Sequence, residues 1–90
     1  MDFEWDEAKR EKVLFERGID FVSLAPALFD GRPVMTVQSP RADEERFVTI
    51  GAVEGRFFAV VWMWRNEAIR LISARRARDG EERYYHALFG

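Results

Sequence analysis

The sequence predicts an α+β fold, an antiparallel sheet of about four strands with two N-terminal helices packed on it and a short C-terminal helix. The first observation is a single change of periodicity at Arg32-Pro33, from helical before it to alternating apolar and polar residues after it. The second is that short turns separate the later strands, which makes neighbouring strands antiparallel. The third is the length of 90 residues, which suits one domain, residues 1–90, around one core.

The chain is predicted to begin with a short strand and a longer helix. Phe3 to Trp5 alternates aromatic and acidic residues, as expected of an edge strand with one side on a core. Asp6 can accept hydrogen bonds from the free amides of a first helical turn, and no glycine or proline interrupts the segment that follows. We therefore expect a helix from Glu7 to Arg17, with Ala8 and Phe15 on its core-facing side.

A second and shorter helix is predicted from Leu24 to Phe29. Pro26 lies near its start, and because proline is tolerated in the first turn of a helix, Ser23 is the expected N-cap. The pair Asp30-Gly31 is expected to end this helix.

Four strands and a final helix are predicted in the remainder of the chain. The expected strands are Val34 to Gln38, Glu45 to Gly51, Phe57 to Trp64 and Arg70 to Ala77, with a loop over Ser39 to Asp43 and a terminal helix from Glu81 to Leu88. The third of these strands is apolar throughout. It is therefore expected to be buried on both faces, in the middle of the sheet.

The composition excludes several classes of protein. Hydrophobic residues at 48% and aromatic residues at 14% exclude a disordered chain, and a net charge of -2 argues against non-specific binding to nucleic acid by the whole surface. Without cysteine and with His86 as the one histidine, no metal site and no cofactor are expected. No signal peptide and no apolar run of membrane-spanning length is found, so a cytoplasmic location is expected.

Positive charge is concentrated near the C-terminus, where six arginines face four acidic residues between Arg65 and Arg83. The strand from Arg70 to Ala77 ends in the pair Arg75-Arg76. A guanidinium group presents a planar fork of donors that matches phosphate or carboxylate oxygens, so a cluster held on a strand is a candidate oxyanion site. The alternative is that these arginines are solubilising charges where the strand leaves the sheet.

Several short motifs, in their order and spacing, resemble those of the BrnT family of toxins. The motifs are Phe3-x-Trp5-Asp6-x-x-Lys9, Gly18-Ile19-x-Phe21, Glu45-Arg46, Gly51, Ile72-Ser73-x-Arg75-x-Ala77 and Glu81-x-x-Tyr84. The resemblance extends from Phe3 to about Tyr85. It implies a RelE-like fold, metal-independent cleavage of RNA that inhibits translation, and neutralisation by a BrnA-like antitoxin with a ribbon-helix-helix domain. DNA would be contacted only through the antitoxin complex.

Cleavage of RNA without a metal requires neutralisation of the charge that develops on the phosphorane. Arg75 matches the family arginine and is the expected phosphate ligand, with Arg46 beside it if their strands pair. In an extended strand, alternation places Arg75 on the face of Leu71 and Ser73 and puts Arg70 and Arg76 on the other face.

The same reaction also requires a base for the 2′-hydroxyl and an acid for the departing 5′-oxygen. Glu45 is a possible base, and the alternative is a structural ion pair with a neighbouring arginine. Tyr84, Tyr85 and His86 could donate a proton or stack on a base, and the alternative is a role in the core or in an interface.

Two further sets of residues complete the predicted sites. Basic residues expected to bind RNA are Lys9, Arg17, Arg70 and Arg76, and aromatic residues expected at a partner interface are Trp62, Trp64 and Tyr85. Bulky tryptophans at a strand end beside polar residues predict that at least one of the two remains exposed.

The chain departs from the family pattern in its first helix, where the family has asparagine and then a Lys-His pair. Here Val13 and then Glu16-Arg17 occupy these places. Arginine cannot easily exchange a proton at neutral pH, and a glutamate repels phosphate, so activity could be weakened. Three interpretations therefore stand: a toxin ribonuclease, a catalytically weak or inactive partner or co-repressor of an antitoxin, and an unrelated sheet domain that serves oligomerisation.

Overall fold

A computed structural model describes residues 1–40 and 44–90, so the prediction of a loop over Ser39 to Asp43 lies largely outside the described residues. The elements in chain order are β1 (Phe3–Trp5), α1 (Glu7–Arg17), α2 (Phe21–Leu28), β2 (Met35–Gln38), β3 (Phe47–Val53), β4 (Arg56–Arg65), β5 (Ala68–Arg76) and α3 (Asp79–Phe89). The strands form one sheet in the order β1-β5-β4-β3-β2. This is an α+β fold, as predicted.

The sheet differs from the prediction in strand number and in direction at one edge. The four strands after Arg32-Pro33 are antiparallel neighbours, as expected, but β1 joins the sheet as a fifth strand. It runs parallel to β5, with Phe3 opposite Ile69 and Trp5 opposite Leu71. The sheet is therefore mixed. Most of the chain separates these two strands, so no local turn determines their relative direction.

Each face of the sheet carries its own apolar cluster. On the α1/α2 face, helices α1 and α2 cover a large core built from Phe21, Leu24, Leu28, Val60, Trp62, Ile69, Leu71 and Ala74. On the opposite face, here called the α3 face, a smaller cluster of Met35, Ile50 and Ala59 packs against Phe57 and Tyr85. Helix α3 contributes no fully buried residue, so most of the burial is on the α1/α2 face.

The predicted bounds of α1 are confirmed, but the predicted core-facing side is wrong. Asp6 is the N-cap and accepts a hydrogen bond from the Lys9 amide at 3.1 Å. Val13 is the buried residue of this helix, whereas Ala8 is exposed and Phe15 is 92% exposed. Because residues two apart lie roughly 200° apart around a helix, burying Val13 turns Phe15 to solvent.

Helix α2 begins earlier than predicted, and Ser23 is not its cap. Asp20 is the N-cap, and its carboxylate accepts a hydrogen bond from the Val22 amide at 3.0 Å. Pro26 consequently lies inside the helix, where it removes one backbone hydrogen bond. The earlier start buries Phe21 completely, and the burial of a phenylalanine side chain, about 1.5 to 3 kcal/mol, offsets the loss of that bond.

A β-bulge in β5 changes which of its residues share a face. Val61 pairs with Ser73 while Trp62 pairs with Leu71, so Ile72 is an extra residue without a partner in β4. Leu71 therefore faces the α1/α2 core, while Ser73 faces the α3 side. The prediction that Leu71 shares a face with Arg75 is wrong, because it assumed an extended strand without a bulge.

Candidate active site

An open groove of about 560 Å³ lies on the α3 face. Its charged lining residues are Lys9 from α1, Arg46 just before β3, Arg75 from β5, and Arg78 and Glu81 at the start of α3. Ser73 contributes a hydroxyl to the same lining. The groove thus brings four cations and one carboxylate together from residues far apart in the chain.

Arg75 is held in the groove by a bidentate ion pair with Glu81. Arg75 Nη1 lies 2.7 Å from Glu81 Oε1, and Arg75 Nη2 lies 3.0 Å from Glu81 Oε2. Both side chains are about three-quarters buried. The hydrogen bond from Arg75 lowers the pKa of Glu81, and the bond to Glu81 raises the pKa of Arg75. Both groups are therefore ionised at neutral pH.

Glu81 also ties this ion pair to the start of α3. It is the third residue of that helix, and its Oε1 accepts a hydrogen bond from the Arg78 backbone amide at 2.8 Å. Negative charge in a first helical turn is stabilised by the helix dipole. The position of Arg75 is therefore coupled to the cap of α3.

Arg46 and Lys9 reach the groove from its other sides. Arg46 Nη2 lies 2.5 Å from Glu44 Oε1, and Arg46 Nε is buried without a hydrogen-bond partner among the described residues. Strand β3, which follows Arg46, does not pair with β5, which carries Arg75, because β4 lies between them. The condition for placing Arg46 directly beside Arg75 is therefore not met. Lys9 lies in the first turn of α1, next to the cap formed by Asp6, and its side chain is exposed.

The structure places the other predicted RNA-binding cations outside the groove. Arg17 donates a hydrogen bond to the Ala74 carbonyl at 2.8 Å, and this backbone acceptor of β5 therefore has a side-chain partner. Arg70 lies 3.3 Å from Glu4, and the bulge puts it on the α3 side of the sheet, contrary to the prediction. Arg76 points to the opposite face, as predicted, with its guanidinium 5.4 Å from the centre of the Phe58 ring.

Glu45 and Tyr84 are exposed, and neither belongs to the lining of the groove. Tyr85 instead packs against Phe57 and donates to the Pro33 carbonyl at 3.3 Å, so it attaches α3 to the sheet. His86 Nδ1 lies 3.0 Å from the Gly90 carbonyl oxygen.

The two tryptophans of β4 differ in exposure. Trp62 is 6% exposed, and its indole donates to the Thr49 hydroxyl at 2.8 Å, so this side chain belongs to the core and not to a free surface. Trp64 is 50% exposed and packs edge-on against Trp62. The expectation that at least one tryptophan remains exposed is confirmed, by Trp64.

A match to a protein-family model and a match to a solved structure identify relatives of this chain. Residues 5–81 match the model described as the ribonuclease toxin, BrnT, of type II toxin-antitoxin systems. The chain belongs to the BrnT family. The crystal structure of the Brucella abortus ribonuclease toxin, BrnT, matches with a TM-score of 0.65 and a sequence identity of 30%. The match covers 88% of this chain and 99% of the Brucella chain. A search of curated proteins gave no significant match.

Membership of the BrnT family implies an antitoxin partner and an RNA target. The segment matched to the family model includes every charged residue among the described lining of the groove, from Lys9 to Glu81. Sequence reasoning assigned no role to Arg78 or Glu81. A signal for Glu81 was present in the sequence, because Glu81 is part of the motif Glu81-x-x-Tyr84, one of the motifs that resemble the BrnT family.

A second and larger groove, of about 720 Å³, lies between α2 and the turn from β3 to β4. It contains none of the predicted site residues. Its cations Arg32 and Arg56 are matched by Asp20 and Glu54, and Arg32 is also paired with Asp30 at 2.8 Å. Because this lining is balanced in charge, the smaller groove around Arg75 is the better candidate for a phosphate polymer.

Over residues 1–40 and 44–90, three or more His, Cys, Asp or Glu side chains do not come together as metal ligands would. Within the same residues, no helix combines the length and the apolar character needed to cross a membrane.

Proposed function

We propose that this BrnT-family chain is a metal-independent endoribonuclease, with a RelE-like domain over residues 1–90 and its active site in the groove around Arg75. The observation that carries the proposal is the convergence of Lys9, Arg46 and Arg75 from three distant segments on one groove. Cations gathered in this way match the backbone of RNA and the charge of a phosphorane. RNA cleavage in the cytoplasm would then inhibit translation.

In the proposed reaction, the charge on the phosphorane is neutralised chiefly by Arg75 and Arg46. A guanidinium group has five N–H donors, of which Arg75 gives two to Glu81 and one to the Arg76 carbonyl, at 3.4 Å. The remaining donors are available to phosphate oxygens, and the ion pair keeps the guanidinium in place before RNA binds. Lys9 is suited to an oxygen of the same phosphodiester, because an ammonium group acts as a point charge.

A second candidate function is that of a catalytically weak antitoxin partner or co-repressor. Three observations favour it. Glu81 already occupies one fork of Arg75, and Arg17, at a place where the family has a basic pair, is engaged with the backbone of β5. In addition, Val13 faces the core and offers no polar group to RNA.

The antitoxin is proposed to be a BrnA-like ribbon-helix-helix protein, through which alone the complex contacts DNA. Trp64 is the proposed anchor of the interface, because a half-exposed tryptophan beside a rigid core is typical of residues that dominate binding energy. Tyr85 is the proposed flanking contact on the other side of the sheet. A test is co-expression with the neighbouring reading frame, followed by affinity purification through a tag on the toxin.

The enzymatic proposal is tested with purified chain and end-labelled single-stranded RNA in the presence of a chelator. We expect cleavage that resists chelation and leaves a 2′,3′-cyclic phosphate end. Arg75→Ala should reduce the rate on the order of a hundredfold or more, because it removes a donor to the developing charge. Arg75→Lys, which keeps the charge and loses the fork, should restore only part of the rate.

The matched control is Arg76→Ala, which removes the same group from the adjacent residue on the opposite face of the sheet. We expect its rate to stay within about threefold of wild type and its stability to change by less than about 1 kcal/mol. If Arg75→Ala is folded and cuts RNA as fast as wild type, the groove is not the active site. Wild-type chain that cuts no RNA and still binds its antitoxin would establish the second function instead.

A further inference from the structure

The groove contains a single carboxylate among its described lining residues, that of Glu81. Glu45, the base considered from the sequence, is exposed and lies outside this lining. Cleavage through the 2′-hydroxyl needs a group that removes its proton close to the cations that hold the phosphate. Within the described groove, Glu81 is the carboxylate in that position.

The hydrogen bonds of Glu81 leave one acceptor position free. A carboxylate offers about four lone-pair positions, two on each oxygen. Oε1 accepts from Arg75 Nη1 at 2.7 Å and from the Arg78 amide at 2.8 Å, and Oε2 accepts from Arg75 Nη2 at 3.0 Å. The remaining lone pair is therefore on Oε2, beside the guanidinium proposed to bind the phosphate.

The charges around Glu81 determine its protonation state. The charged groups that line the groove with it are Arg75 on β5, Arg46 before β3, Lys9 on α1 and Arg78 at the start of α3. Arg46 is paired with Glu44. Cations outnumber acids in this set, and the bond from Arg75 is the main reason that the pKa of Glu81 is lowered. The side chain is thus a carboxylate at neutral pH, with the free lone pair on Oε2 unprotonated.

We propose that Glu81 is the general base of the reaction, an inference that rests on the proposed ribonuclease function. Glu81 Oε2 takes the proton of the 2′-hydroxyl while the bond from O2′ to phosphorus forms. The bond from phosphorus to O5′ breaks, and O5′ leaves with the bonding pair and takes a proton from Lys9, since an arginine cannot supply one at neutral pH. The products are a 2′,3′-cyclic phosphate and a 5′-hydroxyl, and water resets both side chains.

The test uses the purified full chain under single-turnover conditions, with Glu81→Gln, Glu81→Asp and, as matched control, Glu82→Gln. Glu82 carries the same charge on the next residue of α3 and lies outside the groove lining. We expect Glu81→Gln to lose about 10² to 10⁴ in rate, Glu81→Asp to lose less, and Glu82→Gln to stay within about threefold of wild type. RNA with a 2′-methoxy group at the cut site should bind Glu81→Gln as tightly as wild type or more tightly.

Glu81→Gln also disturbs the ion pair between Glu81 and Arg75. A second measurement therefore tests whether Glu81 acts as a base or only positions Arg75. Formate or acetate added to Glu81→Ala should restore cleavage, with acetate, the stronger base, giving the higher rate. A purely structural role predicts no rescue, or a rescue that does not follow the basicity of the added acid. That result, or wild-type rate in Glu81→Gln, overturns the proposal.

The pH dependence of the wild-type rate provides a test that needs no variant. The single-turnover rate should rise through an ionisation below the ordinary glutamate pKa of 4.5 and stay level above it. An active wild type without this acid limb overturns Glu81 as the base and leaves the ribonuclease function standing. A wild type that cuts no RNA at any pH overturns the ribonuclease function, and the base assignment with it.

Discussion

The indole N–H of Trp62 donates a hydrogen bond to one buried hydroxyl, that of Thr49. We predict that removing this hydroxyl lowers the stability of the fold. Thr49 is fully buried, and its Oγ1 lies 2.8 Å from Trp62 Nε1 and 2.8 Å from Thr36 Oγ1. Thr49→Val keeps the shape of the side chain and removes the acceptor. The indole N–H of Trp62 then has no partner, whereas the hydroxyl of Thr36, an exposed residue, can turn to water.

The magnitude follows from the cost of an unsatisfied buried donor. Removing one partner of a buried hydrogen bond costs about 1 to 3 kcal/mol, while replacing both partners by apolar groups is nearly neutral. For a domain of this length, each kcal/mol lowers Tm by about 4 to 8 °C. We therefore expect Thr49→Val to lower Tm by at least about 4 °C.

A double-mutant cycle isolates this hydrogen bond from packing. Trp62→Phe removes the donor and leaves a cavity, and the cost of that cavity is common to both Trp62→Phe variants, so it cancels in the cycle. Thr49→Val should cost about 1 to 3 kcal/mol with Trp62 present and close to zero in the Trp62→Phe chain. Urea unfolding followed by circular dichroism measures all four proteins. An equal cost of Thr49→Val in both backgrounds would refute the reasoning.

Three further predictions concern packing, partner and pH. A methyl group at Gly51 would lie 2.8 Å from Leu28 Cδ2, so Gly51→Ala should cost about 1 to 3 kcal/mol in urea unfolding, while Gly80→Ala, with no contact closer than 3.8 Å, should cost less than about 1 kcal/mol. Trp64→Ala should weaken antitoxin binding by about 2 kcal/mol in calorimetry and leave RNA cleavage unchanged. Because the pKa of Glu81 is lowered in the folded state, its contribution to stability is present above pH 4.5 and is lost as pH falls through the folded value; the Tm difference between wild type and Glu81→Gln should therefore shrink in acid.

The sequence by itself determined the elements whose signals are local. Asp6 as a cap, an uninterrupted helical segment and Gly18 with its positive φ of 69° define α1 as predicted. The short turns after Arg32-Pro33 correctly predicted antiparallel neighbours from β2 to β5, because each turn constrains the two strands that it joins. The family motifs also predicted BrnT membership, which the match over residues 5–81 supports.

Only the tertiary structure decided the features that depend on burial across the chain. Local cap signals at Asp20 and Ser23 compete, and the complete burial of Phe21 favours the earlier start of α2. The bulge at Ile72 reverses the alternation that placed Leu71 with Arg75, and no residue near it signals an insertion.

The composition of the groove was the feature least predictable from the sequence. Alternation correctly separated Arg75 from Arg76, since that depends on adjacent residues alone. The pairing of Arg75 with Glu81 and the engagement of Arg17 by Ala74 depend on how α3 and α1 lie against β5. Such contacts are set by the packing of whole elements and not by the residues next to each charge, so the tertiary structure decided which basic residues line the groove.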